Sequence, residues 1–281
     1  MQKIWVCGAR GQIGQAVNDV VDKLEFEMLD TDVDDLDVTD TDEVLRFGEM
    51  NRPDIIINCS GMTDISSCEE NPSQAFKVNA LGARNLAIVA AKMVQLSTDD
   101  VFDGKSTEPY TEFDITNPGT VYGKSKLAGE NYVKEFTTKH FIVRSTWVYG
   151  KGQNFINGFL KKVDAGEQLS IASDQFGSPT SANELARFLL HLVHTSEYGT
   201  YHATNKGVCS RYAFAQEILK MTGKTASMQP VPTVMSDFSK VRPAYAVLDN
   251  FIMSMVPIYD FPDWQDSLRE YLEERGLYHA E

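Results

Sequence analysis

Lys3-Ile4-Trp5-Val6-Cys7-Gly8-Ala9-Arg10-Gly11-Gln12-Ile13-Gly14-Gln15-Ala16-Val17 is the stretch whose reading decides the fold. A short apolar run, Lys3 to Cys7, reads as a buried strand and breaks into glycines at 8, 11 and 14. Ile13, Ala16, Val17 and Val20 then recur at helical spacing, which predicts a helix over Gln12 to Lys23. Outward from this unit, Phe26–Asp30, Asp54–Asn58, Met93–Ser97 and His140–Arg144 read as further strands with helical segments between them. One helix opens at Asn71-Pro72, a capping residue followed by proline at the first helical position. Alternation of this kind requires parallel strands joined by right-handed helical crossovers, so the expected class is α/β, a doubly wound parallel sheet. The alternation fades after Arg144, and Gly150 to Leu169 and Tyr201 to Leu219 read as additions to it. The expected division is therefore residues 1–150 as a Rossmann domain and 151–281 as a smaller substrate-binding domain, with some of its segments returning to the first.

Small residues in a strand-to-helix turn let the backbone approach a pyrophosphate, which rests on the unpaired amides of the helix amino terminus. Gly8, Arg10, Gly11 and Gly14 are the candidates for that contact. The second strand ends at Asp30, 16 residues beyond Gly14, where this fold places the acid that binds the adenosine ribose hydroxyls. Ten acidic residues and no lysine or arginine lie between Glu25 and Glu43, a field that disfavours a 2′-phosphate and favours NADH over NADPH. Arg10 opposes this, since a guanidinium in the phosphate loop can reach a 2′-phosphate at short range. NADPH therefore stays open.

Tyr122 and Lys126 are four apart in a helical segment and share one face. A tyrosine titrates near 10, and a neighbouring ammonium stabilises its phenolate and eases proton transfer to a substrate oxygen. Thr98 stands at the carboxyl end of the fourth strand, the edge where chemistry is expected in such sheets, and its hydroxyl can bond the same oxygen.

The remaining composition excludes more than it selects. Twenty-six basic against 40 acidic side chains leave a net charge of −14, which repels nucleic acid and anionic membranes, so neither is expected as a partner. No apolar run approaches the roughly 18 residues that span a bilayer, and the expected compartment is the cytoplasm. Cys7, Cys59, Cys68 and Cys209 lack paired spacing and read as reduced, buried thiols. His191 and His194 lie at i, i+3 without a clear third ligand, so no metal is expected.

Taken together, these motifs resemble the extended short-chain dehydrogenase/reductases, and within them the dTDP-4-dehydrorhamnose reductase family. The likeness also rests on Asn58-Cys59-Ser60-Gly61, Val78-Asn79-Ala80, Arg144 to Gly150, Asn154-Phe155, Asp174-Gln175-Phe176-Gly177-Ser178-Pro179-Thr180 and Arg242-Pro243. It implies hydride transfer to the C4 ketone of a dTDP-linked 4-keto-6-deoxy sugar, with Tyr122 as proton donor. It also implies a cofactor lining of Gly11, Gln12, Ile13, Asp30, Asp37, Val38, Cys59, Ser60, Gly61, Met62, Thr63 and Asn79. Lys126 would hold the nicotinamide ribose, and Thr98, Asp99, Asp100, Trp147, Asn154 and Arg242 would face the substrate. Where the family reads A-H-T-A-V-D-K, this chain has Gly61-Met62-Thr63-Asp64-Ile65-Ser66-Ser67, and Asp100 replaces a tyrosine. Glutamates that bind magnesium in some members correspond to Ala16 and Asn183 here. Other readings remain: a nucleotide-sugar 4,6-dehydratase using Asp99 and Asp100 as acid and base, a reductase of a different keto sugar, and a non-catalytic partner like the regulatory subunit of methionine adenosyltransferase. Nothing in the sequence separates a monomer from a homodimer.

Overall fold

The computed structural model describes residues 1–235 and 244–279. Its first half alternates as expected: β1 (Gln2–Cys7), α1 (Gln12–Val20), β2 (Phe26–Thr31), α2 (Thr41–Asn51), β3 (Ile55–Asn58), α3 (Ile65–Glu70), α4 (Pro72–Phe76), α5 (Ala83–Val89), β4 (Met93–Thr98), α6 (Val121–Phe136) and β5 (His140–Ser145). Beyond these lie β6 (Val148–Tyr149), α7 (Phe155–Asp164), β7 (Leu169–Ala172), β8 (Phe176–Gly177), β9 (Thr180–Ser181), α8 (Ala182–Val193), β10 (Gly199–His202), β11 (Cys209–Ser210) and α9 (Arg211–Thr222). The chain closes with β12 (Met228–Val231), β13 (Tyr245–Ala246), α10 (Phe251–Met255) and α11 (Trp264–Glu274).

Six strands form one parallel sheet in the order β10-β5-β4-β3-β1-β2. The chain runs outward from β1 to β2 and then reverses to β3, so the carboxyl ends of β1 and β3 flank the switch point where ligands bind in such sheets. The central strands are buried along most of their length because both faces are covered, whereas the edge strand β2 exposes Glu27 and Asp30. One face packs Ile4, Val6, Ile55, Ile57 and Val94 against Val17 of α1 and Leu185, Phe188 and Leu189 of α8. The other packs Trp5, Ile56 and Met93 against Val44, Leu86 and Val133. Residues 182–202 thus belong to the main sheet, as its covering helix α8 and its edge strand β10. A separate core of Tyr149, Phe159, Ile171, Phe214, Trp264 and Leu268 holds β7, α7, α9 and α11 together.

Helix α1 ends at Val20, short of the expected Lys23, because Val21 turns extended and Asp22 starts a turn that receives the amides of Leu24 and Glu25. A π-helical turn over Lys77–Gly82 follows α4. This wider winding is rare and is frequent at functional sites. No helix among the described residues is long and apolar enough to cross a membrane.

Candidate active site

Two adjoining cavities, of about 650 and 400 Å³, open at the carboxyl ends of β1, β3 and β4, and share Gly11, Cys59, Ser60 and Gly61 on their walls. The glycine turn that separates them is dictated by space. Gly8 has φ +75°, and a Cβ there would meet Ser60 N at 2.7 Å; a Cβ on Gly14 would meet Gly8 O at 2.3 Å. Gly14 therefore serves the close packing of turn and helix and lies off the cavity wall. Gly11 caps α1 without any side chain bonded to the first amides, which leaves those donors for an anion. Gln12 Oε1 is buried on the same wall with no hydrogen-bond partner among the described residues. A cradle that any Cβ would fill and open helix amides fit a dinucleotide pyrophosphate, whereas Gln12 Oε1, an acceptor, suits a hydroxyl or amide donor and not a phosphate oxygen.

The smaller cavity is bounded by Gly8, Asp37, Val38 and Met62, all anticipated from sequence, together with Thr31, Asp32, Val33 and Leu36. Asp30 does not line it. Strand β2 runs one residue further than expected, to Thr31, whose carbonyl accepts from Gly8 and Ala9, and the acid against the glycine turn is Asp32. Its carboxylate accepts from Arg10 N at 2.8 Å, whereas Asp30 is exposed. Arg10 itself points into acid rather than at the cavity, with Asp34 at 3.1 Å, Asp35 at 3.4 Å and Asp32 at 3.8 Å. Asn79 is also off the wall. Buried in the π-helical turn, it accepts from Met62 N (2.8 Å) and donates to Met62 O (3.0 Å) and Ser125 Oγ (2.9 Å), tying the Gly61–Thr63 loop to α6.

The larger cavity brings Thr98, Asp99, Tyr122 and Lys126 together with Gln12, Ile13, Thr63, Trp147 and Asn154. Thr120 caps α6 by accepting from Gly123 N at 2.9 Å, and a Cβ on Gly123 would meet Asp100 O at 2.0 Å. Only glycine lets the first turn of α6 lie against the loop after β4, and this brings Tyr122 to Thr98. Thr98 Oγ1 donates to Asp99 Oδ1 (3.0 Å) and accepts from Asp100 N (3.2 Å). Asp100 is buried but absent from the cavity wall, because the tight turn after Thr98 sets its backbone under Gly123. Its expected contact with substrate is corrected accordingly.

Tyr122, Lys126 and Glu130 form one buried stripe on α6. Burial lowers the Lys126 pKa to about 8, against the opposing pull of Glu130 and Cys59. The ammonium is therefore still the main form at neutral pH. Burial alone would raise Glu130, but Arg144 (2.9 and 2.7 Å), Ser97 Oγ (2.6 Å) and Lys134 outweigh it and hold the carboxyl below its usual range. An ionised Glu130 fixed in this way keeps a negative charge one helical turn from Lys126.

Trp147 adopts φ +47°, a conformation costly for a bulky residue and characteristic of functional positions. The Asp174–Thr180 segment explains how it is held. Thr180 N donates to Trp147 O (3.3 Å), and a Cβ on Gly177 would lie 2.6 Å from Trp147 Cε2, so this glycine makes room for the indole. Gln175, Phe155 and Arg211 complete that wall and were not anticipated. Phe155 and Gln175 stand inside motifs that had been singled out, but Arg211 carried no sequence signal. Arg242 lies outside the described residues.

With this geometry in view, comparison with known proteins finds that the family model described as the RmlD substrate binding domain matches residues 1–276. A dTDP-4-dehydrorhamnose reductase structure from Clostridium acetobutylicum superposes with a TM-score of 0.95 at 40% identity, covering 98% of this chain and 100% of that one. A dTDP-4-dehydrorhamnose reductase from Bacillus anthracis, solved in complex with NADP, gives a TM-score of 0.94 at 35% identity over 98% and 100%. The spore coat polysaccharide biosynthesis protein SpsK of Bacillus subtilis is 35% identical over 281 residues, 98% of this chain and 99% of that protein.

Proposed function

The chain belongs to the RmlD substrate binding domain family, and from that premise we propose that it reduces the C4 ketone of a dTDP-linked 4-keto-6-deoxy sugar with NADH or NADPH, most directly dTDP-4-dehydro-L-rhamnose to dTDP-L-rhamnose. The observation that carries this reading is the meeting of Thr98, Tyr122 and Lys126 in one cavity with the glycine turn. When bound, the nicotinamide supplies the hydride. The chain supplies the rest. Tyr122 gives its phenolic proton to the C4 oxygen, Lys126 stabilises the resulting phenolate, and Thr98 Oγ1, turning its proton away from Asp99 Oδ1, donates to the same oxygen and holds it in place. Gly8, Gly11 and the open amides of α1 seat the pyrophosphate, Gly61–Thr63 cover the nicotinamide half, and Asp37 and Val38 border the adenosine half. Asp99, Trp147 and Asn154 face the sugar, as part of a substrate-binding half built mainly from residues 151–281.

For the cofactor, we infer a preference for NADH with NADPH accepted. A 2′-phosphate could use Arg10 only by drawing it from Asp32, Asp34 and Asp35, all of which repel the phosphate. The structure of the B. anthracis relative with NADP weighs in the other direction. Four free cysteines suit the reducing cytoplasm, which we propose as the site of action. The dehydratase reading needs two carboxylates at the substrate, and only Asp99 reaches the cavity wall.

The test is Tyr122→Phe. Removal of a proton donor that acts in the transition state lowers kcat at least about 100-fold and leaves cofactor affinity within about twofold. Deuterium from C4-labelled NADH should appear at C4 of the sugar in the wild-type product. Wild-type turnover in the variant, or label elsewhere, overturns the assignment.

A further inference from the structure

Lys126 and Glu130 lie four apart on α6, and both are buried. In a helix the Cα–Cβ bonds tilt toward the amino terminus, so the Glu130 side chain leans back over the turn that carries Lys126. Its carboxylate is fixed from outside the helix. Arg144 of β5 donates Nε and Nη2 to the two oxygens at 2.9 and 2.7 Å, and Ser97 Oγ, next to Thr98 in β4, donates at 2.6 Å. The third nitrogen of that guanidinium, Nη1, is buried without a hydrogen-bond partner among the described residues, so the hydrogen bonds of Arg144 go to Glu130. A carboxylate held by a guanidinium fork and a hydroxyl stays ionised even when buried. Glu130 lines neither cavity and acts through its neighbour.

A buried ammonium discharges unless an anion compensates it. The groups whose charge bears on Lys126 are Glu130 and Cys59, and burial pushes the Cys59 thiol up to about 12, which leaves it neutral. Tyr122, on the same face of α6, is a neutral phenol until it gives up its proton. We propose that Glu130 is a positioning residue of the reaction: fixed by Arg144 and Ser97, its carboxylate sits behind the Lys126 ammonium and keeps that cation in place beside Tyr122. This rests on the proposed function. The same carboxylate ties the catalytic elements to one support, since Ser97 leads into Thr98 while Tyr122 and Lys126 share the helix face that Glu130 continues.

The experiment is the pH profile of kcat, together with the NMR titration of the Lys126 Cε resonance in the full chain carrying Cε-labelled lysine, for wild type, Glu130→Gln and Ser97→Ala. Loss of the resonance in Lys126→Met assigns it. An opposite charge within about 4–6 Å changes a pKa by about 1–3 units. Loss of the Glu130 charge should therefore carry both the resonance titration and the alkaline limb down by about one pH unit, from about 8 to about 7. The charged fraction at pH 8 then falls from about one half to about one tenth, a roughly fivefold loss of kcat there against less than about twofold at pH 6. Ser97→Ala keeps both charges and should leave limb and resonance in place. The other titratable or charged groups on the elements packed against α6 are the same in both variants: Cys59 after β3, Cys68 and Glu69 of α3, Lys77 of the π-helical turn, Arg84 of α5, Asp99 and Asp100 after β4, and Arg144 of β5. Should Glu130→Gln fail to fold around an uncompensated Arg144, the double variant with Arg144→Met removes both charges, and the same fall is expected. An unmoved resonance, an unmoved limb, or a loss of kcat by one factor at every pH overturns the assignment while leaving the proposed function standing. A wild type that turns over no keto sugar overturns the proposed function, and the resonance still decides whether Glu130 holds the charge of Lys126.

Discussion

Gly177→Ala tests whether a single missing methyl shapes the substrate side of the site. The new Cβ would lie 2.6 Å from Trp147 Cε2 and 2.9 Å from Cδ2 and Nε1. Carbon atoms rest at about 3.5–4.0 Å, so ring or strand must shift by about 1 Å. The ring is hard to shift. Its backbone is pinned at φ +47°, and the Arg211 guanidinium occupies 3.5 Å above its centre. Overpacking of this kind costs about 1–3 kcal/mol, which for a chain of this size corresponds to a fall in Tm of roughly 2–10 °C. Displacing a positioning group by about 1 Å costs up to about 100-fold in rate, so kcat/KM for the sugar should fall about 10- to 100-fold. The KM for NADH should not change, because the glycine turn lies on the other wall. Steady-state kinetics varying each substrate in turn, with a thermal melt on the same preparation, measures all three. Wild-type kcat/KM and Tm would refute the packing argument, and an equal rise in the cofactor KM would show that the two walls are not independent.

The ammonium of Lys126 is the working form, so kcat should decline as pH rises through about 8, and a profile flat to pH 10 would remove that role. Stability should move the opposite way: the unfolded lysine titrates near 10.4, the unfolded state then binds more protons between about pH 8 and 10.4, and this residue's contribution rises with pH across that window in denaturant titrations of wild type against Lys126→Met. His202 behaves differently. Burial and the nearby Arg144 lower its pKa to about 3, and Nδ1 donates toward the carbonyls of Tyr110 and Asp249. Unfolded histidine gains a proton below about pH 6.5 while the folded one resists to about pH 3, so unfolding free energy should drop by a few kcal/mol between those values, and a His202→Gln variant that loses stability just as steeply would exclude it as the cause. Asp32→Asn should raise the KM for NADH about tenfold and shift preference toward NADPH, whereas Asp30→Asn should change each by less than twofold; the reverse pattern in cofactor kinetics returns the ribose contact to Asp30.

Much of the molecule was legible because it depends on local periodicity. Buried parallel strands are mostly apolar, so the central strands stand out as short apolar runs, and the glycines at 8 and 14 announce a turn that no Cβ tolerates. Tyr122 and Lys126 were visible because four residues make one helical turn. The misread positions depend on where a strand stops or on what packs across the fold. One further residue in β2 moves the acid at the turn from Asp30 to Asp32. Asp100 leaves the site because Gly123 draws its backbone under α6. Asn79 proves to be a tie between two elements, set by the π-helical turn. Arg211 was invisible, since its place on Trp147 joins residues 64 apart in sequence.

The most direct measurement is the absorbance of NADH or NADPH at 340 nm with dTDP-4-keto-6-deoxyglucose, with and without a 3,5-epimerase that produces the rhamnose precursor. The account predicts cofactor oxidation that depends on the epimerase and yields a C4 alcohol. Oxidation of neither cofactor, with or without the epimerase, would contradict it.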